Sequence, residues 1–341
     1  VQTPRQILEN LLTRRDLSES DAGELLRWLA QGESEPALAG ALLAALRAKG
    51  VTAAEVRGFA GAMRGLARRP RLPEALDAID VVGTGGDSSG SLNLSTGAAL
   101  LTAACGMAVV KHGNRGISSR SGSADLMEQL GLKLPLDEVA AARCFDANGF
   151  TFLFAPFYHP ATKALSPIRT ALGVRTVFNL LGPLTNPAAP RYHLIGAYDL
   201  AAAELIAATL SGMQMTRAWV VHGAAGWDEA TPIGSFVAFE VTPGNVRRLE
   251  VDPETFGIAR CRPADLAGGD AAVNAAALRA VFERRDLGAH RSALALQAGI
   301  ALYITGRAGS VPEGVALAGA CIDSGRAQQW LIQLQQWAGT P

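Results

Sequence analysis

Along the first part of the chain, apolar side chains return at helical spacing: Ile7, Leu8, Leu11 and Leu12, then Leu25, Leu26 and Leu29, then Leu38, Leu42 and Leu46, then Val56, Phe59, Met63 and Leu66. Each set follows a helix-start signal. Thr3-Pro4, Ser18-Glu19-Ser20-Asp21, Ser34-Glu35-Pro36 and Thr52-Ala53-Ala54-Glu55 precede them, the last with the spacing of a capping box. The pattern predicts a helical domain of four short helices over residues 1–72, broken by Arg68-Arg69-Pro70-Arg71-Leu72-Pro73. The period then changes. Short apolar runs before Gly83, at 107–110 and at 218–222 read as buried strands, and each leads into a loop rich in glycine. Strand-loop-helix units in tandem predict an α/β domain over residues 73–341, with its loops at the strand C-termini, the edge of an open sheet where ligands bind.

The first of these loops carries the densest chemistry. Residues 80–96 read Asp-Val-Val-Gly-Thr-Gly-Gly-Asp-Ser-Ser-Gly-Ser-Leu-Asn-Leu-Ser-Thr, a glycine turn feeding an alanine-rich helix expected to start at Ser95 or Thr96. Glycine lets backbone N–H groups approach an oxyanion, and a helix start adds unpaired donors and the positive end of the helix dipole. Two nucleotide fingerprints are excluded by spacing. After Gly83 and Gly85 the third glycine of a dinucleotide loop is replaced by Ser88, and Gly90 is followed by Ser91 and Leu92 rather than by the Lys-Ser/Thr of a P-loop. The loop is read as a cradle for a phosphorylated small molecule.

A second loop is expected to follow the strand at 107–110. It reads Lys111-His112-Gly113-Asn114-Arg115-Gly116-Ile117-Ser118-Ser119, then Ser121-Gly122-Ser123-Ala124-Asp125 opening a helix that ends at Gly131. Singly, Lys111 or Arg115 reads as a solvated surface charge and His112 as a structural histidine; together with the hydroxyls they suit a highly anionic ligand. The strand at 218–222 leads through Gly223-Ala224-Ala225-Gly226-Trp227 into Asp228-Glu229. Neighbours on a strand face opposite sides, so both acids serve one site only from a loop, which the glycines before them and Pro232 after them support. Paired hard carboxylates suit Mg²⁺, which keeps several waters and bridges to phosphates. An exposed acidic loop is the plainer alternative.

Charge narrows the partners. Lys+Arg and Asp+Glu balance at 31 each, so no general basic field recruits nucleic acid or an anionic membrane, and phosphate binding has to be local. Cys105, Cys144, Cys261 and Cys321 are far apart, which fits free thiols in a reducing cytoplasm better than disulfides or a zinc site. Apolar stretches such as 97–110 contain glycine breaks and fall short of the ~20 residues of a spanning helix.

The Gly-Thr-Gly-Gly-Asp loop, the Asn-x-Ser-Thr helix start at 93–96, Lys-His-Gly-Asn-Arg at 111–115 and Ser-Gly-Ser-Ala-Asp at 121–125 together resemble the anthranilate phosphoribosyltransferases of tryptophan biosynthesis. The resemblance continues through His159-Pro160, the Arg169 to Arg175 stretch, Phe178-Asn179-Leu180-Leu181-Gly182-Pro183-Leu184-Thr185-Asn186-Pro187 and Leu266-Ala267-Gly268-Gly269. It implies a small N-terminal helical domain, joined by a helical segment near 166–184, and a larger α/β domain around a central, mostly parallel sheet. It also implies a homodimer through the helical domain, whose apolar faces are broader than one small bundle hides.

The activity implied is transfer of the 5-phosphoribosyl group from phosphoribosyl diphosphate to the amine of anthranilate, giving N-(5-phosphoribosyl)anthranilate and diphosphate. Carried over residue by residue, donor binding falls to Gly83, Gly86, Asp87, Ser91, Asn93, Leu94, Ser95, Thr96, Lys111, His112, Gly113, Asn114, Arg115, Gly116, Ile117, Ser118, Ser119 and Ser123. Gly83, Asn114 and Arg169 are implied around anthranilate, and Ser95, Asp228 and Glu229 around Mg²⁺. Arg169 suits a carboxylate through forked hydrogen bonds, whereas Arg175 is expected to be structural. An aromatic amine is neutral at neutral pH with its lone pair free, so the protein's task is chiefly electrostatic and positional.

Ser88 stands where the family commonly has glycine and Gly90 where it has asparagine; Gly116, Ala230 and Gln297 are further departures. Two alternatives remain at this point. A pyrimidine-nucleoside phosphorylase resembles the chain in Lys-His-Gly-Asn-Arg but has no need of Asp228-Glu229, and a non-catalytic nucleic-acid-binding relative should show a basic stripe.

Overall fold

A computed structural model describes residues 2–32, 34–73, 76–116 and 120–339. Helices α1 (Pro4–Leu12), α2 (Glu19–Ala30), α3 (Pro36–Lys49) and α4 (Ala53–Gly65) form the N-terminal bundle. Three of their starts follow from side-chain caps, whereas α3 opens on Pro36 with no side-chain cap. Thr3 and Thr52 close reciprocal capping boxes with Gln6 and Glu55, and Ser18 accepts from the Asp21 N–H. Glu55 also acts inside the bundle: its buried carboxylate accepts from the Leu17 N–H at 2.9 Å and from Lys49 Nζ at 3.0 Å.

The chain continues as β1 (Ile79–Gly83), α5 (Leu94–Ala104), β2 (Val109–Gly113), α6 (Ser123–Gln129), α7 (Glu138–Asn148), β3 (Phe150–Phe154), α8 (Ala155–Tyr158), α9 (Thr162–Leu172) and α10 (Phe178–Leu181). It then adds β4 (Tyr192–Gly196), α11 (Leu200–Ser211), β5 (Arg217–His222) and the hairpin β6 (Phe236–Thr242) and β7 (Asn245–Val251). Helices α12 (Ala271–Phe282), α13 (Ala289–Ile304), α14 (Val311–Asp323) and α15 (Arg326–Gly339) complete it. The seven-stranded sheet has the order β3-β2-β1-β4-β5-β6-β7, parallel from β3 to β5 and antiparallel in the last two pairings.

From β1 the chain winds outward to β2 and β3, then returns to place β4 on the other side of β1. That reversal makes β1 the switch point, where a crevice opens beyond the strand C-termini. The register sets Gly83 opposite Gly196 there. Alternate residues of β4 and β5 enter two separate cores. Leu194, Trp219 and Val221 join the one that holds α5 and α13, while Ile195, Ala218 and Val220 join the one that holds α1–α4, α9, α10 and α11. Burial on both faces explains why these strands read as continuous apolar runs. In the second core the Phe59 and Phe178 rings meet edge to face at 6.1 Å between centroids, linking α4 to α10. No helix among the described residues is long and apolar enough to cross a membrane.

Two element boundaries differ from the sequence reading. Helix α5 starts at Leu94 with Asn93 as its N-cap, and β2 runs over Val109–Gly113 rather than 107–110. Lys111 and His112 are therefore strand residues, laddered opposite Phe152 and Leu153 of β3, and not loop residues. The ladder extends because the backbone gains partners there, whatever the polarity of the side chains.

His193 on β4 is buried beside the Arg64 guanidinium of α4, and burial first, then that cation, depress its pKa to about 4. The unfolded chain takes up a proton near the ordinary value of 6.5 while the folded chain resists, so this residue withdraws stability as pH falls from there toward 4. His193→Asn removes that term. Urea melts of both proteins at pH 7.5 and pH 5 should show wild type losing about 2 kcal/mol relative to the variant, and parallel shifts would refute it.

Candidate functional site

The site is assembled where three strand ends meet one returning turn. After β5 the chain folds back through residues 223–227, closed by the Gly223 N–H to the Trp227 carbonyl at 2.8 Å, and lays Asp228 across the ends of β1 and β4. The approach is so close that only glycine fits beneath it. A Cβ on Gly83 would overlap Asp228 Oδ2, and one on Gly196 would overlap the Asp228 backbone. The Asp228 carboxylate accepts from the Gly85 N–H at 2.6 Å, and Glu229 Oε1 accepts from the Ser95 N–H at 3.1 Å, on the first turn of α5. Asp87 joins them, its Oδ2 accepting from the Asp228 N–H at 3.3 Å.

Asp228 and Glu229 are both buried. Burial pushes both carboxyls well above their usual range, and like charge raises them further, from Asp87 on Asp228 and from Asp228 and then Asp87 on Glu229. The compensating cation is Lys111, which is itself fully enclosed: Nζ donates to the Val81 carbonyl at 2.5 Å. Its pKa is lowered by burial against the pull of Asp80 and Glu229. Asp80, beneath it, is held by Asn186 Nδ2 at 2.8 Å and the His112 N–H at 3.2 Å, and burial raises it to about 6.

Crowded acids with too little positive charge are a donor set for a divalent cation. Among the described residues no three His, Cys, Asp or Glu side chains are grouped to enclose a metal. Two carboxylates and the Ser95 hydroxyl form an incomplete set, which suits Mg²⁺, an ion that fills its shell with water and substrate phosphate.

The glycine loop is held in an unusual backbone conformation. Gly85, Gly86, Ser88 and Gly90 all have positive φ, with Ser88 at 58°. At Ser88 the side chain makes this strained, on the order of 1 kcal/mol, where the family's commoner glycine would not be. Asp87 Oδ1 accepts from the Ser89 N–H and hydroxyl, at 3.2 and 3.1 Å. From the far side the C-terminal segment clasps the loop. The Gly268 N–H reaches the Gly90 carbonyl at 2.8 Å, the Leu92 N–H reaches Leu266 at 3.0 Å, and Ser91 bridges Ala267.

Arg175, expected to be structural, is placed as a structural tie. Its Nη2 donates to the Gly86 carbonyl at 2.6 Å while the guanidinium lies 3.8 Å above the Tyr198 ring, and its own carbonyl accepts from Arg47 Nη1 of α3 at 3.2 Å. It ties the helical bundle to the glycine loop. No local pattern marks it, because each contact is made across a large separation in sequence.

The other residues singled out fall into two groups. Leu94 and Thr96 are buried on α5, so Leu94 can serve a ligand only through its backbone. Asn93 directs its amide to Ser121. On the second loop, Ser123 Oγ accepts from the Asn114 N–H and donates to its carbonyl, both at 3.2 Å. Asp125 receives the N–H groups of Gly116 and Gly122 at 2.9 and 2.8 Å. Arg115, expected on the ligand, is paired with Asp125 and Glu128 and lies over the Phe154 ring, drawn there by two carboxylates on one helix face. Ile117, Ser118 and Ser119 lie outside the described residues.

His112 is packed against His159 at 5.1 Å between ring centroids, with Nδ1 near the Gly182 carbonyl and Nε2 without a partner among the described residues. Burial, then His159, depress its pKa to about 3, so it is neutral. Arg169, in the last turn of α9, stacks over Phe178 at 5.3 Å and has no carboxylate partner among the described residues; burial lowers its pKa.

The chain is similar to known proteins along almost all of its length. The helical bundle domain of the glycosyl transferase family matches residues 5–67, and the a/b domain of that family matches residues 75–328. The anthranilate phosphoribosyltransferase of Rubrobacter xylanophilus is 43% identical over 323 residues, 95% of this chain and 94% of the relative. That of Azorhizobium caulinodans is 43% identical over 330 residues, 97% and 95% of the two chains. The crystal structure of the Thermus thermophilus enzyme superposes with a TM-score of 0.91 at 40% identity, over 98% of this chain and 99% of that one. The Saccharomyces cerevisiae enzyme in complex with PRPP and Mg superposes with a TM-score of 0.88 at 25% identity, over 98% and 97%. Alike in sequence along both the bundle and the sheet, and alike in fold over almost every residue, this chain belongs to the anthranilate phosphoribosyltransferase family.

Proposed function

We propose that the chain transfers the 5-phosphoribosyl group of phosphoribosyl diphosphate to the amine of anthranilate, as its relatives' names say of them. The observation that carries this reading is the convergence of the acidic pair, the glycine loop and the start of α5 at one sheet switch point. That arrangement offers backbone donors and a helix dipole for phosphate beside carboxylates for a cation. The nucleoside phosphorylase alternative accounts for neither the buried acids nor the relatives' identities, and no basic stripe favours nucleic acid.

Asp228, Glu229 and Ser95 would hold Mg²⁺, which when bound supplies positive charge to the departing diphosphate. Lys111 keeps Glu229 supplied with a counter-charge from below. The 83–91 loop and the N-terminus of α5 hold the donor in line by backbone N–H groups. Arg169, a desolvated guanidinium with no acidic partner among the described residues, takes the anthranilate carboxylate. No side chain needs to remove a proton before attack, since the acceptor nitrogen is already neutral. We propose further that residues 1–72 and 73–341 act as two domains, that the enzyme works in the cytoplasm, and that exposed apolar side chains of the bundle such as Leu12 seat a second copy of the chain.

Mixing the protein with anthranilate, phosphoribosyl diphosphate and Mg²⁺ should extinguish anthranilate fluorescence, and a chelator should stop the loss; steady fluorescence with all components present would overturn the activity. Arg169→Ala should raise the anthranilate KM by about tenfold or more and leave the donor KM within about twofold, as loss of a charge-assisted fork requires. Unchanged acceptor kinetics would remove Arg169 from the site. Light scattering at micromolar concentration should give twice the chain mass, and a monomer would reject the bundle as an interface.

A further inference from the structure

The Leu266-Ala267-Gly268-Gly269 segment and the helix after it have no part in the reaction as described, yet they end on a donor-site residue. Asn274, in the first turns of α12, is 1% exposed and uses both ends of its amide. Its Oδ1 accepts from the Gly269 N–H at 2.7 Å, and its Nδ2 donates to Asn93 Oδ1 at 2.8 Å. A backbone N–H can only donate, so the atom facing Gly269 has to be oxygen and the atom facing Asn93 has to be nitrogen. The Asn93 atom that receives it is then oxygen. Ser121 agrees from the other side: its hydroxyl donates to the same Oδ1 at 3.1 Å, and its carbonyl accepts from Asn93 Nδ2 at 3.0 Å.

Asn93 Nδ2 carries two hydrogens, one of them used on Ser121. The second meets no acceptor among the described residues. We infer that Asn274 is a positioning residue for the donor substrate: it fixes which way the Asn93 amide faces, so that one N–H stays aimed at phosphoribosyl diphosphate and the glycine loop stays joined to the 114–122 loop through Ser121. This rests on the functional reading above. Gly268 and Gly269 belong to the same device, since Gly269 supplies the N–H that sets the orientation of the whole series.

Two variants separate positioning from mere support. Asn274→Asp keeps an acceptor for the Gly269 N–H but turns an oxygen toward Asn93 Oδ1, which drives the Asn93 amide to flip. Asn274→Ala removes the donor without that repulsion, and reports should the first variant fail to fold. Calorimetric titration with phosphoribosyl diphosphate and Mg²⁺ should show donor affinity falling about tenfold in the Asp variant and about threefold in the Ala variant, in keeping with one hydrogen bond lost or opposed. The donor KM should rise in the same order, with the anthranilate KM within about twofold of wild type.

A residue that only supports the fold would lower the melting temperature and leave the donor KM of the folded enzyme unchanged; that result overturns the inference. Wild type is titrated alongside. If it takes up no donor, the functional reading fails and the inference with it. If wild type binds and both variants bind equally well, the assignment of Asn274 alone fails.

Discussion

The close approach of the 227–229 turn to the strand ends governs this site. Asp228 can press against β1 and β4 only because Gly83 and Gly196 present bare backbone there, and that contact puts both acids beside the glycine loop and the first turn of α5. Once the turn is seated, two buried carboxylates stand beside the half-buried Asp87, with Lys111 enclosed as the neighbouring cation. Lys111 offsets only part of the repulsion among them. Crowded carboxylates beside a glycine loop are a donor set that a divalent cation would satisfy.

Much of this was legible in the residues. The four bundle helices announce themselves by periodicity, with side-chain caps on three and Pro36 opening the other, and the buried strands by short apolar runs, because those signals are local. The pairing of acids in a loop was legible from glycine and proline around them. The β2 boundary was not: Lys111 and His112 look like loop chemistry, but their strand character depends on β3, a partner some forty residues away. The ion pairs of Arg115 were hidden for a related reason. A cation in a glycine loop suggests phosphate, and the carboxylates of Asp125 and Glu128 that claim it become neighbours only when α6 forms. The partners of Arg175, itself expected to be structural, and the link of Asn274 to Asn93 were not legible because those contacts span a great length of chain.

The two cores divide the labour of the sheet. One face of β4 and β5 packs under α5 and α13, and the other face packs on the helical bundle with α10 and with α9, which carries Arg169. The first turn of α5, which meets Glu229, and α9, which carries Arg169, are thus backed by opposite faces of one set of strands.

The contact of Arg175 with Gly86 extends that connection to the bundle. A trans peptide points its carbonyl and its N–H in opposite directions, so holding the Gly86 oxygen on one side sends the Asp87 N–H to the other. Arg47 grips Arg175 itself from α3. The bundle and the glycine loop are therefore fastened through one peptide plane, so the position of the third helix and the shape of that loop are set together.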